Sequence, residues 1–238
     1  MALTYTTYVS QLANLMVQDS TTTDFQTFLP GCIDYAEQRM YRELDLQVTR
    51  VTDTTGTFIT NNQQFTLPTG SGSFVVVEQI NVFTPLGSNQ VDGTRTPLIP
   101  VTKEFINATW PSNTANTDVP QYFAPLSNTV YLVAPSPDAA YTAEVVGTIR
   151  PTPLSSSNTS TFLTANLPDV FMAASMIFAS AYQRDFGGQT DNPPQAVSWE
   201  AEYGKLMMSA NYEELRKRFM GPAWQPMSVS PIASPPRV

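Results

Sequence analysis

The sequence predicts an α+β protein: a four-helix bundle with an antiparallel β-module inserted between helices 2 and 3, plus an extended C-terminal arm. Three observations lead to this prediction. Apolar residues recur every three or four positions in residues 1–47, the period shortens to two from residue 48, and the helical period returns after residue 151. The predicted domains are a helical bundle from residues 1–47 and 151–219, a β-module from 48–150, and an arm from 220–238.

The helical segments are marked by apolar spacing and by residues that start or stop a helix. The second helix begins at Thr23 and is interrupted by Pro30, which either kinks it or opens a new helix. Short-linked helices of this kind pack as antiparallel hairpins, which favours a bundle. The predicted helices are residues 7–18, 23–46, 168–186 and 194–219.

The middle of the chain has the alternation of β-strands, separated by turn residues such as Asn61-Asn62 and Asp92-Gly93. The run of valines at residues 75–77 predicts a strand buried on both faces, and residues 103–110 predict one helical turn. The predicted strands are residues 47–51, 57–60, 64–67, 74–83, 97–100, 121–124, 129–134 and 141–149.

The arm has a composition that neither a helix nor a strand explains. Residues 220–238 are rich in proline and carry one charge, Arg237. Ordering backbone costs about 1–2 kcal/mol per residue, and apolar burial offsets only about 25 cal/mol per Å². A terminal arm does not usually bury enough apolar area on its own domain to offset this cost. We therefore expect the arm to be either disordered or docked on another chain through its apolar residues, Trp224, Met227, Val229 and Ile232.

Charge limits the classes of partner. The chain has 20 acidic and 12 basic residues, and its net charge is −8. This balance argues against binding nucleic acid through its phosphates, which requires clustered Lys and Arg. No apolar run approaches the roughly 18 residues of a membrane span, so no membrane contact is expected. The acids are concentrated in residues 1–47, at Asp19, Asp24, Asp34, Glu37, Glu43 and Asp45.

The residues that most enzymes need are missing. The chain has no histidine and one cysteine, and it lacks nucleophile-elbow, phosphate-loop and dinucleotide-binding motifs. Cys32 lies on an apolar helix face and is interpreted as a buried structural thiol. Asp34 and Glu37, predicted on the outer face of their helix, fit ordinary surface better than a cation site. We therefore expect no enzyme activity, no metal and no cofactor.

Two runs of sequence indicate a family. They are FLPGCIDYAEQRMYREL at residues 28–44 and VYLVAPSPDAAYTAEVVGTIRPTPLSSSNTSTFLTANLPDVFMAASMIFASAYQRD at residues 130–185. The second contains a strand, a Pro-Ser-Pro-Asp turn, another strand, a Ser/Thr-rich crossing and an alanine-rich helix opened by Leu-Pro-Asp. Together they resemble the head-to-tail adaptor (connector) proteins of short-tailed bacteriophages, and the order of elements is similar over most of the chain.

The resemblance implies a structural protein of the virion, located at the capsid–tail junction and assembled in the host cytoplasm. Such adaptors form a homo-oligomeric ring, here expected to be a dodecamer, under the portal protein. The tail nozzle or fibre proteins are the expected partners on the other side. The resemblance also implies that the C-terminal arm reaches the portal, with Trp224, Met227, Val229 and Ile232 as apolar contacts and Arg237 as an ion-pair partner.

Double-stranded DNA would pass through the ring without specific binding. An acidic lumen suits that passage because phosphates do not adhere to it. The candidate channel-lining residues are Asp19, Asp24, Asp34, Glu37, Glu43 and Asp45.

Two other classes of function stay open on the sequence. A carbohydrate- or receptor-binding tail component would need an exposed aromatic cleft in residues 84–125, where Trp110 is the best candidate for an exposed ring. A hydrolase would need two facing carboxylates, and no pair stands out in the sequence.

Overall fold

The computed structural model describes residues 3–182 and 195–219 and shows a mixed α+β chain, as the sequence predicts. The chain divides into two compact units. The described part of the β unit is residues 3–11 and 48–166, and that of the helical unit is residues 12–47, 167–182 and 195–219. The three-domain division expected from the sequence stays a prediction.

The described residues contain six helices. They are α1 (Tyr5–Leu15), α2 (Thr23–Glu43), α3 (Lys103–Thr109), α4 (Phe162–Asn166), α5 (Pro168–Tyr182) and α6 (Gln195–Phe219). Helix α2 continues through Pro30, so no new helix begins there. A short 3-10 turn at Gln47–Thr49 leads into the first strand.

Eight strands form two four-stranded sheets in the described part of the chain. They are β1 (Arg50–Thr57), β2 (Gln64–Thr66), β3 (Ser73–Thr84), β4 (Thr94–Pro97), β5 (Ile99–Pro100), β6 (Tyr122–Pro125), β7 (Val130–Ala134) and β8 (Thr142–Arg150). The sheet orders are β1-β8-β3-β4 and β2-β7-β6-β5. The strand pairs are antiparallel as predicted, except that β5 and β6 run parallel, because a crossover containing α3 joins them.

The core of the β unit lies between the two sheets. Ile80 and Val145 from the first sheet are fully buried against residues of the second sheet, including Phe65 and Val133. The rings of Phe58 and Phe65 pack with their centroids 4.8 Å apart. The β unit therefore has its own hydrophobic core, built from the alternate positions of facing strands.

The prediction that residues 75–77 are buried on both faces is wrong. Val75 and Val76 are exposed, and the buried part of β3 is its second half. The pairing of β3 with β8 shifts register twice, between Phe74 and Val76 and between Val77 and Gln79. These irregularities break the simple alternation of side chains, so a run of valines cannot by itself indicate which face is covered.

The helical unit is built around α5, which packs against both α2 and α6. Helix α5 is rich in small residues, so its neighbours approach closely. The thiol of Cys32 donates to the carbonyl oxygen of Ser175 over 3.3 Å, and both residues are buried as the interpretation of Cys32 predicts. The ring of Phe178 stacks on those of Phe28 and Tyr35, with centroids 5.4 and 5.2 Å apart.

Candidate interaction surfaces

The acidic residues proposed for a channel occupy different environments. Asp19, Asp24, Asp34 and Asp45 are exposed. The carboxylate of Asp19 accepts hydrogen bonds from the backbone N–H and the hydroxyl of Thr21, and these bonds hold its pKa below the usual value. These four residues are accessible in the helical unit, as a lining role requires.

Glu37 does not lie on the outer face of its helix, and that prediction is wrong. Its side chain is buried among the apolar residues of α2. The buried face of α2 is wide enough to include Glu37, and the spacing of apolar residues does not reveal that width. Burial, and secondarily the charge of Glu37, raise the pKa of Tyr41, so that phenol stays protonated.

An ionic cluster joins α2 to α6 inside the helical unit. The guanidinium of Arg39 contacts both oxygens of Glu200, with Nη1 2.9 Å and Nη2 2.5 Å from them. Its Nε lies 3.0 Å from a carboxylate oxygen of Glu43, four residues further along the same helix. The hydroxyl of Tyr203 donates to the other oxygen of Glu43 over 2.8 Å, and Arg39 stacks 4.4 Å from the centre of the Tyr203 ring.

The electrostatics of this cluster follow from its hydrogen bonds. The bond to Arg39 lowers the pKa of Glu200, and the bond to Glu200 raises the pKa of Arg39. Burial, and secondarily the bond to Glu43, raise the pKa of Tyr203. Glu200 and Arg39 therefore stay ionised and Tyr203 stays protonated at neutral pH, and the cluster acts as a structural clamp between two helices.

Helix α6 has a second apolar face that sequence reasoning missed. Tyr203, Ala210 and Glu214 are buried on the inner side of the helix. Met208, Tyr212 and Leu215, spaced four and three residues apart, are 61%, 57% and 38% exposed. We call these three residues the outer stripe. The spacing of these three residues could have predicted an apolar face, but apolar residues on the inner side of the helix make that pattern hard to recognise.

The connection between α1 and α2 also exposes apolar side chains. Leu15 is 45% exposed and Val17 is 92% exposed. Val17 has a φ of 54°, in the left-handed region where glycine is favoured and a β-branched residue is strained. We call residues 15–24 the α1–α2 corner; it also carries Asp19 and Asp24.

The β unit presents two features at its surface. Phe105, Trp110 and Tyr122 form a cluster of rings with centroids 5.5–6.0 Å apart, and Phe105 is its most exposed member. The predicted exposed ring, Trp110, is half-buried in this cluster. Elsewhere a cleft of about 600 Å³ is lined by residues that include Phe74, Tyr131 and Arg150, beside exposed Val75 and Leu126.

The proposed portal-binding residues lie outside the described residues. These are Trp224, Met227, Val229, Ile232 and Arg237. Within residues 3–182 and 195–219 no group of three or more histidine, cysteine, aspartate or glutamate side chains is placed to hold a metal ion. In the same ranges no helix is both long and apolar enough to cross a bilayer.

A two-unit chain with exposed apolar surfaces on both units has the features of a structural protein that contacts other subunits. Residues 3–226 match the family described as SU10 adaptor protein, so the chain belongs to that family. The match spans nearly the whole chain and confirms the resemblance to phage head-to-tail adaptors. It supports a structural adaptor role in a bacteriophage virion. No curated protein matches the chain.

Proposed function

We propose that the protein forms a ring of twelve copies that joins the portal of a short-tailed phage capsid to its tail and lets DNA pass through. The observation that carries this proposal is the family match, which covers both units and extends to residue 226 in the arm. The exposed apolar side chains on both units support it, because such surfaces mark contacts with other chains. The proposal assigns no catalysis to the protein.

The proposed arrangement places the helices in a four-helix bundle, with the β-module inserted between the second and third of them. Helices α2, α5 and α6 supply three members, and the ionic cluster of Arg39 supports their packing. The remaining member of the bundle, α1, belongs partly to each unit, because the division between the units falls after residue 11. Assembly of the bundle from all four helices is therefore part of the proposal.

We propose that the arm docks on portal subunits. Extended proline-rich backbone suits a groove or a sheet edge, and Trp224 and Met227 would fill apolar pockets there. The test compares the full chain with a chain that lacks residues 221–238, by co-sedimentation with assembled portal rings. We expect the truncated chain to keep its circular dichroism spectrum and to lose portal binding.

Point variants refine the test of the arm. Trp224→Ala removes a proposed anchor and should weaken portal binding by tenfold or more, in the range of interface hot spots. Ser228→Ala, in the same segment, is the matched control and should bind as the wild type does. If the truncated chain binds the portal as well as the full chain does, the proposed role of the arm is wrong.

Among the acids, Asp34 and Asp45 are the proposed lining of the channel. Both are exposed in the helical unit, and a negative wall repels the phosphates of passing DNA. Asp34→Lys should slow DNA ejection from assembled particles, whereas Asp92→Lys, a change of the same charge in the β unit, should not. Equal ejection rates in the two variants would exclude Asp34 from the channel wall.

The ring cluster of the β unit favours one alternative, a carbohydrate- or receptor-binding tail component. Phe105 presents an exposed ring beside Trp110, and aromatic faces bind the apolar faces of sugars. Titration of the protein with host surface glycans, followed by tryptophan fluorescence, tests this function. A saturable change that Phe105→Ala abolishes would support it, and the absence of any change would remove it.

A further inference from the structure

The outer stripe of α6 is an apolar helix face with the geometry of a packing seam. Successive residues of an α-helix are rotated by about 100°, so positions 208, 212 and 215 fall on one side. The buried residues Tyr203, Ala210 and Glu214 fall on the opposite side, which faces the core of the helical unit. Ala201 and Gly204 continue the stripe toward the start of the helix and are exposed.

The neighbours of the stripe make its surface selective. Arg216 and Lys205 lie along one flank of the stripe and are exposed. Gly204 leaves open space, since a Cβ built on it meets no atom within 4 Å. A partner surface must therefore be apolar, must approach the helix closely near Gly204, and must carry negative charge on the side of Arg216.

The α1–α2 corner has the complementary properties. Leu15 and Val17 project apolar side chains, and Asp19 and Asp24 follow within seven residues of Val17. Val17 is displayed in a left-handed conformation that glycine would adopt more easily. Val17 ends α1 as its left-handed C-cap residue, since the N–H of Gln18 donates to the carbonyl oxygen of Ala13 over 2.9 Å. The case for a contact at this corner therefore rests on its exposed apolar side chains and its two carboxylates.

We propose that the outer stripe of α6 docks on the α1–α2 corner of a second copy of this chain. Met208, Tyr212 and Leu215 would cover Leu15 and Val17, and Arg216 would face Asp24 of the neighbour. The two surfaces are different patches of one chain, so after the first contact one copy keeps its corner free and the other keeps its outer stripe free. Such a head-to-tail contact propagates and closes into a ring when the rotation allows it.

Disulfide trapping tests the contact with the full chain, even where association is weak. Two preparations of different mass, one carrying Val17→Cys and the other Met208→Cys, are mixed and oxidised mildly. We expect the mixed dimer to exceed each homodimer at least fivefold. Ser209→Cys replaces Met208→Cys in the control, because position 209 lies about 100° around the helix, and should give no such excess.

The outcomes separate the proposed contact from other contacts. A dominant homodimer of Met208→Cys would mean that two outer stripes pack on each other and would overturn the proposal. Equal yields with Ser209→Cys would mean random collision and would also overturn it.

Charge reversal provides a second, independent measurement. Arg216→Asp and Asp24→Arg should each lower self-association about tenfold by sedimentation equilibrium, in the range of charge pairs at interfaces. The double variant that carries both Arg216→Asp and Asp24→Arg has the exchanged charges in every such contact and should associate within about threefold of wild type. If the double variant is as weak as each single variant, these two side chains do not face each other.

This inference rests on the proposed ring, but the two can fail separately. If particles contain a ring of the protein while the trapping and charge experiments fail, the contact is wrong and the adaptor function stands. If the protein is absent from the capsid–tail junction in particles imaged by electron microscopy, the proposed function itself is wrong.

Discussion

The two units of the molecule bury their apolar surface in different ways. The β unit closes a core between two sheets, and its buried Glu144, outside that core, is ion-paired with Arg95 and accepts a hydrogen bond from Asn81. The helical unit packs α2, α5 and α6 together but leaves the outer stripe exposed. Both units expose apolar side chains to other chains. The difference teaches that the β unit is stabilised by a core between its sheets, whereas the apolar surface left by packing in the helical unit includes a continuous face of one helix.

The largest effect is expected in the core of the β unit. Phe65 is buried between the sheets, so Phe65→Ala should lower the free energy of unfolding by about 3–5 kcal/mol through lost burial and a cavity. Ile59→Ala, at an exposed position, is the control and should cost less than about 0.5 kcal/mol. Urea unfolding measures both variants, and a small loss for Phe65→Ala would contradict an internally stabilised β unit.

A second change acts on the closest approach of two strands. A Cβ added at Gly147 would lie 2.2 Å from the carbonyl oxygen of Val76 on β3. We expect Gly147→Ala to destabilise the β unit by about 1–3 kcal/mol, because the strands must separate. Gly70→Ala, where the added atom meets nothing within 4 Å, should be close to neutral in the same thermal melt.

In the helical unit the largest polar effect should come from Tyr203. Its buried hydroxyl donates to the carboxylate of Glu43, so Tyr203→Phe should cost about 1–2 kcal/mol. Tyr212→Phe on the outer stripe is the matched control and should leave the stability of the isolated chain unchanged. Equal effects of the two changes, measured by thermal unfolding, would mean that the clamp contributes little.

The smallest effect on stability is expected from lowering the pH. The pKa of Glu200 is lowered in the folded protein, so its ion pair with Arg39 stabilises the helical unit above the ordinary pKa of 4.5. That contribution is lost as the pH falls below 4.5 and through the lowered value. Because Glu200 is half exposed, we expect less than about 1 kcal/mol.

The measurement for Glu200 is the difference in stability between wild type and Glu200→Gln as a function of pH. The difference should be present at neutral pH and should vanish in acid. A difference that grows as the pH falls would reverse the sign and contradict the assignment.

The local features of this fold were predictable because they depend on residues that are close in sequence. The bounds of α2 and of β2, β3, β6, β7 and β8 follow from spacing to within a few residues, and the Arg39–Glu43 pair follows from the helical repeat. The predicted strands at 47–51 and 57–60 are wrong, because one strand, β1 (Arg50–Thr57), stands in their place. The chain also carries enough of its family's pattern in residues 28–44 and 130–185 for the adaptor class to be named from sequence.

Contacts between distant residues were not predictable. Glu200 reaches Arg39 across 161 positions, and no local pattern pairs them. Glu37 is charged yet buried, and Val75 is apolar yet exposed, because the width of a helix face and the register of β3 with β8 decide burial. The outer stripe was not predictable because α6 is apolar on two sides, which weakens the contrast between the apolar and polar faces of an amphipathic helix.

The single cysteine gives the helical unit a built-in reporter. The thiol of Cys32 is shielded between α2 and α5, so a reagent in solution can reach it only when those helices separate. The rate of its modification therefore measures how often the unit opens, without any label or engineered residue. A slower rate of modification after incorporation into a particle would show that contacts with neighbouring subunits make the separation of α2 and α5 less frequent.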